Sequence, residues 1–242
     1  MKSNEFVEKY SLYVIGAVAL LILFNWFQIA TIASPGPLTT NTISKAFSPS
    51  GSKMTKGSSG ELALEVKRTG DNVQDAINAL IPTGTPEWGP EIGVSYDDPV
   101  NSLNRLASLH RQVPTGSLSA EEKQRYIDIN TRISCEFCCG APSVVDNNGR
   151  DLCGCSHALS FMGLSKYIIK THPEYTNEEI LLELTKWKSL YYPRNMVEKG
   201  AALLSNDMEL TASSLNDAQL LSKLSSGDTS SIGSLPSMVG GC

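Results

Sequence analysis

Residues 135–157, CEFCCGAPSVVDNNGRDLCGCSH, hold five of the six cysteines and one of the three histidines in the chain. Five thiols with an imidazole in so short a stretch form a soft, deprotonatable donor set of the kind that suits Cu(I) or Zn(II). The order is Cys-x-x-Cys-Cys, thirteen residues, then Cys-x-Cys-x-His. Cys135, Cys138, Cys153 and Cys155 are the first-choice ligands. Cys139 and His157 are candidates for a replacement ligand or a second metal. Two other chemistries use the same residue types. Outside the cytoplasm, a disulfide from Cys135 to Cys155 would staple the loop, with an odd thiol left free or paired with Cys242. Cys135-Glu136-Phe137-Cys138 also has the spacing of a thiol–disulfide oxidoreductase, but no βαβ pattern surrounds it. For catalysis no convincing general base stands out, Glu136 being only suggestive, so the chain leans away from an enzyme.

Something must bring the two thiol groups together. Between them, PSVVDNNGRDL reads as a β-hairpin: Val144 and Val145 form one arm, Asn148-Gly149 a two-residue turn, and Asp151 and Leu152 the return. That register sets Val144 opposite Cys153 and Pro142 opposite Cys155, so the thiols converge at the hairpin base. Cys153 and Cys155, two apart on a strand, project from one face. A helix beginning near Ser156 would aim its N-terminal dipole at Cys155 and lower that thiol's pKa.

The surrounding body reads as helical. Leu62, Leu64 and Val66 alternate as a short strand does, and Val73, Ile77 and Leu80 form a helix face after Asp71 or Asn72 as cap. The Pro- and Gly-rich stretch 82–99 reads as an ordered loop, with an extended piece at Ile92–Tyr96 and with Trp88 and Val94 needing burial. Helical spacing then runs through Val100, Leu103, Leu106 and Leu109. Capping boxes at Ser119/Glu122 and Thr176/Glu179 start two further helices. Between them a helix follows the cysteines, and Pro193 opens another. His110 and His172 read as surface or helix-end residues.

The ends differ from the body. Tyr10–Ala33 contains no charged residue and is longer than the roughly 20 residues a membrane-spanning helix needs; Tyr10, Trp26 and Phe27 lie near its ends, as interfacial rings do. It reads as an uncleaved anchor. Lys2 and Lys9 favour the short N-terminus inside and the main body outside the cytoplasm. Residues 34–60 are rich in Ser, Thr, Gly and Pro, the composition of a flexible tether, and the Ser/Gly-rich tail 209–242 ends in Cys242. The net charge of −5 is spread along the chain with no basic block, which argues against nucleic-acid binding.

The segments GVSYDDP, SCEFCCGA, CGCSHALSFMGLSKYII and YTNEEILLELTKWKSLYYP together resemble a group of membrane-anchored proteins found mainly in archaea, over about residues 75–205. The Cys-x-Cys followed by two helices is also loosely similar to the bacterial PCYCGC-motif lipoproteins. The resemblance implies an exported, cysteine-rich, helical protein and supplies no activity.

The expectation is therefore a mainly α protein: an N-terminal transmembrane helix (1–33), a linker (34–60), a helical domain (61–208) with a Cys-rich hairpin insert, and a tail. Its expected role is metal handling or delivery with Cu(I) or Zn(II), at the cell membrane, through a metal-donor or acceptor protein. The alternatives are a structural or partner-binding module, and a thiol–disulfide enzyme.

Overall fold

The sequence carries explicit helix-start signals, and the computed structural model forms helices at each of them. It describes residues 53–57, 60–221, 223–224 and 230–241. The apolar segment 10–33, most of the tether and Cys242 lie outside these residues. Among the described residues no helix is long and apolar enough to cross a membrane.

A short antiparallel pair opens the structure: β1 (Met54–Lys56) runs against β2 (Leu62–Leu64), with Met54 opposite Leu64. β1 is exposed and falls within the stretch whose composition marks a tether. Helix α1 (Asn72–Leu80) starts where Asp71 accepts from the amides of Val73 and Gln74. Just ahead of the expected extended piece (92–96), which forms no strand, α2 (Gly89–Ile92) makes a single turn. Pro90 suits its first turn, and Gly93, at φ 65°, ends it in the left-handed conformation that a side chain would resist. Val94 and Tyr96 are buried just beyond it, as is Trp88 before it.

Helix α3 (Pro99–Gln112), α4 (Ala120–Asn130), α5 (Ser156–Thr171), α6 (Asn177–Tyr191) and α7 (Pro193–Ser205) make the body. Both capping boxes are formed, at Ser119/Glu122 and Thr176/Glu179. Helices α5 and α6 are central and buried along most of their lengths. Helix α3 lies closest to α5, α4 packs on both α5 and α6, and α1 packs on α7. The α3–α5 approach depends on Gly163, where a Cβ would collide with the Leu106 carbonyl oxygen and stand 2.8 Å from the His110 nitrogen.

The described part of the tail packs on this body. Helices α8 (Ala212–Asn216) and α9 (Ala218–Leu221) follow α7. Ile232 is buried, the Val239 amide donates to Tyr191 O at 2.8 Å, and Arg194 donates to Leu235 O. Low hydropathy over a segment does not prevent a few apolar residues and backbone groups within it from docking.

Candidate metal centre

Helix α4 ends at Asn130, and the chain enters a turn at Cys135. The amides of Cys138 and Cys139 both donate to Cys135 O, at 2.9 and 3.2 Å. This turn is helical in sense rather than extended, so Cys139 curls back toward Cys135. The chain then returns as the expected hairpin, with a different register. Val145 bridges Asp151, and the Leu152 amide donates to Val144 O at 2.9 Å. Val144 therefore faces Leu152, not Cys153. The loop holds three residues, Asn147 to Gly149, not two. Asp146 caps it by accepting from the amides of Asn148 and Arg150, and Gly149 takes φ 77°, as three-residue loops with a left-handed last position do.

The thiols converge nonetheless. The sulfurs of Cys135, Cys153 and Cys155 all lie within 4.8 Å of one another. Cys153 and Cys155 are 3.6 Å apart, and Cys155 and Cys135 are 3.7 Å apart. With Zn–S bonds of about 2.3 Å, the sulfurs of a tetrahedral site stand about 3.8 Å apart, so the spacing suits co-ligands of one ion. Cys135 and Cys153 are buried, Cys155 is half-buried and Cys139 is exposed. Cys139 lies outside the mutual triad, yet its sulfur is 2.8 Å from that of Cys153.

Cys155 is the N-cap of α5, and its sulfur accepts from the Ala158 amide at 3.4 Å. The hydrogen bond with Cys135 lowers its pKa most; His157, the Ala158 amide and Cys153 add to this against the effect of burial, and it falls to about 3. Cys135 is pushed far up by the same hydrogen bond and by burial. Burial, followed by the bond with Cys139, raises Cys153 to about 12. Within the cluster, burial and neighbouring thiols thus favour the protonated form at Cys135 and Cys153, and hydrogen bonds favour the thiolate at Cys155. Three thiolates this close together need a positive ion among them, and its binding would release protons.

The remaining expected ligands fall around this triad. Cys138 is disulfide-bonded, while Cys135 and Cys155, the pair a staple would join, are both free thiols. His157 is fully buried beside the cluster. Its Nε2 lies 2.9 Å from the Val239 carbonyl oxygen and its Nδ1 3.1 Å from the Tyr192 hydroxyl. Both ring nitrogens thus face protein groups. His110 and His172 sit at the end of and just beyond their helices, on Asp151 and on Glu91 and Glu174.

Further residues surround the thiols, and of these the sequence singled out only Glu136. Tyr192 is buried, and its hydroxyl pKa is raised, first by burial and then by Cys135 and Cys155. Glu136, between two of the cysteines, pairs with Lys188 of α6 at 2.8 Å and with Lys199 of α7. A signal for Lys188 was present in the sequence. Lys188 lies on one helix face with Leu181, Leu184 and Tyr191, and a lysine there needs a buried partner.

No protein-family model, curated protein or solved structure matches the chain. The cysteine cluster could hold a metal ion, and its chemistry has to be read from its own geometry.

Proposed function

We propose that the chain is a membrane-anchored metal-binding protein whose Cys135, Cys153 and Cys155 hold a soft ion, Cu(I) or Zn(II), for handling or delivery. The observation that carries this reading is the mutual approach of three sulfurs at co-ligand spacing. Exposed Cys139, next to Cys153, is the natural fourth ligand and the point where an incoming thiol from a donor or acceptor protein would exchange. The apolar segment 10–33 supplies the anchor, with the helical domain outside the cytoplasm.

Native mass spectrometry and elemental analysis of the purified full chain test this directly. One Cu or Zn per chain is expected, lost in Cys153→Ser and Cys155→Ser. A chelator should strip the ion while the helical circular dichroism persists; collapse of the fold on stripping would indicate a structural zinc instead. A chain that takes up neither metal under reducing conditions would overturn the proposal.

A second reading, thiol–disulfide exchange, is favoured by the 2.8 Å separation of Cys139 and Cys153 with Cys139 exposed. Cys139 would attack a substrate disulfide and release one thiol. Cys153 would then resolve the mixed disulfide, releasing the second thiol and leaving a Cys139–Cys153 bond. Reduction of a model disulfide by the full chain, abolished in Cys139→Ser, would support it.

A further inference from the structure

Two buried lysines share a single carboxylate beside the thiols. The Lys188 side chain is fully buried and that of Lys199 is 10 % exposed; both ammonium groups reach Oε1 of Glu136. Glu136 is the chain neighbour of Cys135, and Lys188 and Cys135 interact electrostatically. Their other direct contacts are to neutral groups. Lys188 also donates to Asn216 Oδ1 at 2.8 Å and Lys199 to Leu215 O at 3.4 Å, and both stand over the Phe137 ring, 5.5 and 4.8 Å from its centre. Asp217 also acts on Lys199, but from an exposed position where water screens it. Two ammoniums against one carboxylate leave about one positive charge without a buried counterpart, an arrangement that folding strongly disfavours unless something negative lies nearby.

The cysteine cluster is a further source of negative charge: Cys135 directly precedes Glu136 and interacts electrostatically with Lys188. We infer that Lys188 and Lys199 are positioning residues that tune this site to a metal centre of net negative charge: three or more thiolates on Zn(II), or two or more on Cu(I). This rests on the metal-binding reading above. It fits the engagement of both nitrogens of His157 by protein groups, since a neutral imidazole in place of a thiolate would reduce the negative charge that the lysines balance.

The test uses two substitutions that break the same ion pair but change the local charge in opposite directions. Zn(II) and Cu(I) affinities of the full chain in detergent would be measured by chelator competition for Lys199→Met, Glu136→Gln, the double variant and Lys199→Arg. Lys199→Met should weaken binding about tenfold or more, the effect expected of a unit charge several ångströms away at an effective dielectric constant of about 20. Glu136→Gln should tighten it by a similar factor. The double variant, with no net change in charge, should return to within about threefold of the parent, as should Lys199→Arg. If Lys199→Met and Glu136→Gln weaken binding together, the ion pair is only a structural clamp and the inference fails while metal binding stands. Should Glu136→Gln not fold, equal affinities for Lys199→Met and the parent overturn it just as well. A parent chain that binds neither metal takes down both readings.

Discussion

Helix α6 carries two buried lysines two residues apart, and their surroundings differ in one respect. Lys186 pairs with Glu183 at 3.3 Å, and the same carboxylate accepts from the Tyr96 hydroxyl. One acid meets one base, and the phenol satisfies the other oxygen. Lys188 meets a carboxylate that also serves Lys199. Burial pushes Glu136 toward neutrality, yet the two ammoniums prevail and hold it below the usual glutamate range. Burial brings Lys188 down to about 8 and lowers Lys199 as well. The balanced pair lies among Tyr96, Trp88 and Trp187, whose rings pack at 5.0 to 6.5 Å. The unbalanced group lies against the thiols. A balanced buried pair needs nothing beyond itself, whereas an unbalanced one implies a charged neighbour.

Removing the shared acid should have the largest effect. Glu136→Ala leaves two buried ammoniums without a counter-ion and should cost the metal-free protein about 3–5 kcal/mol, read as a fall in thermal midpoint. Glu183→Gln keeps an acceptor for Tyr96 and strands one lysine, so about 1–3 kcal/mol is expected. Equal losses would erase the distinction between the two groups. Saturating zinc should stabilise Glu136→Gln more than it stabilises Glu183→Gln.

A third buried lysine sharpens the comparison, because no carboxylate bonds to it directly. Lys166 is fully buried and donates to His110 O at 2.9 Å; burial brings its pKa from 10.5 to about 8, with Asp151 acting the other way. The folded value lies below the unfolded one, so between about pH 8 and 10.5 the unfolded chain holds more protons and this group makes stability rise with pH. Denaturant unfolding of the parent and Lys166→Met should show the parent gaining on the variant over that window, by up to about 3 kcal/mol. A gap that stays constant with pH would show that Lys166 does not titrate there. The smallest effect belongs to a site without buried charge. Thr176→Ala removes the hydroxyl that caps α6 and should cost about 1 kcal/mol, a baseline against which the lysine variants are read.

What was legible in the sequence came from short-range physics. Asp71, Ser119 and Thr176 mark helix starts because their side chains accept from amides within the next turn, and Pro193 because its fixed φ and missing N–H suit a first turn; the structure places helices there. The helix start at Ser156, with its effect on Cys155, follows for the same reason. The hairpin was legible as a hairpin but not in register, since Asn148-Gly149 suits a two-residue turn and Asp146 drew the loop one residue wider. The sequence did not show which of the adjacent Cys138 and Cys139 turns toward Cys153, because that depends on a helical turn in which both amides fold onto Cys135 O.

The sequence by itself determined a mainly helical body and a cluster of thiols dense enough for soft-metal chemistry, because capping, periodicity and ligand type act locally. Only the tertiary structure decided that Cys135, Cys153 and Cys155 meet, that His157 turns to Tyr192 and Val239, and that Lys188 and Lys199 converge on Glu136. Those contacts join residues far apart in the chain, and their strength depends on burial, which removes the water that would otherwise screen each charge and satisfy each polar atom.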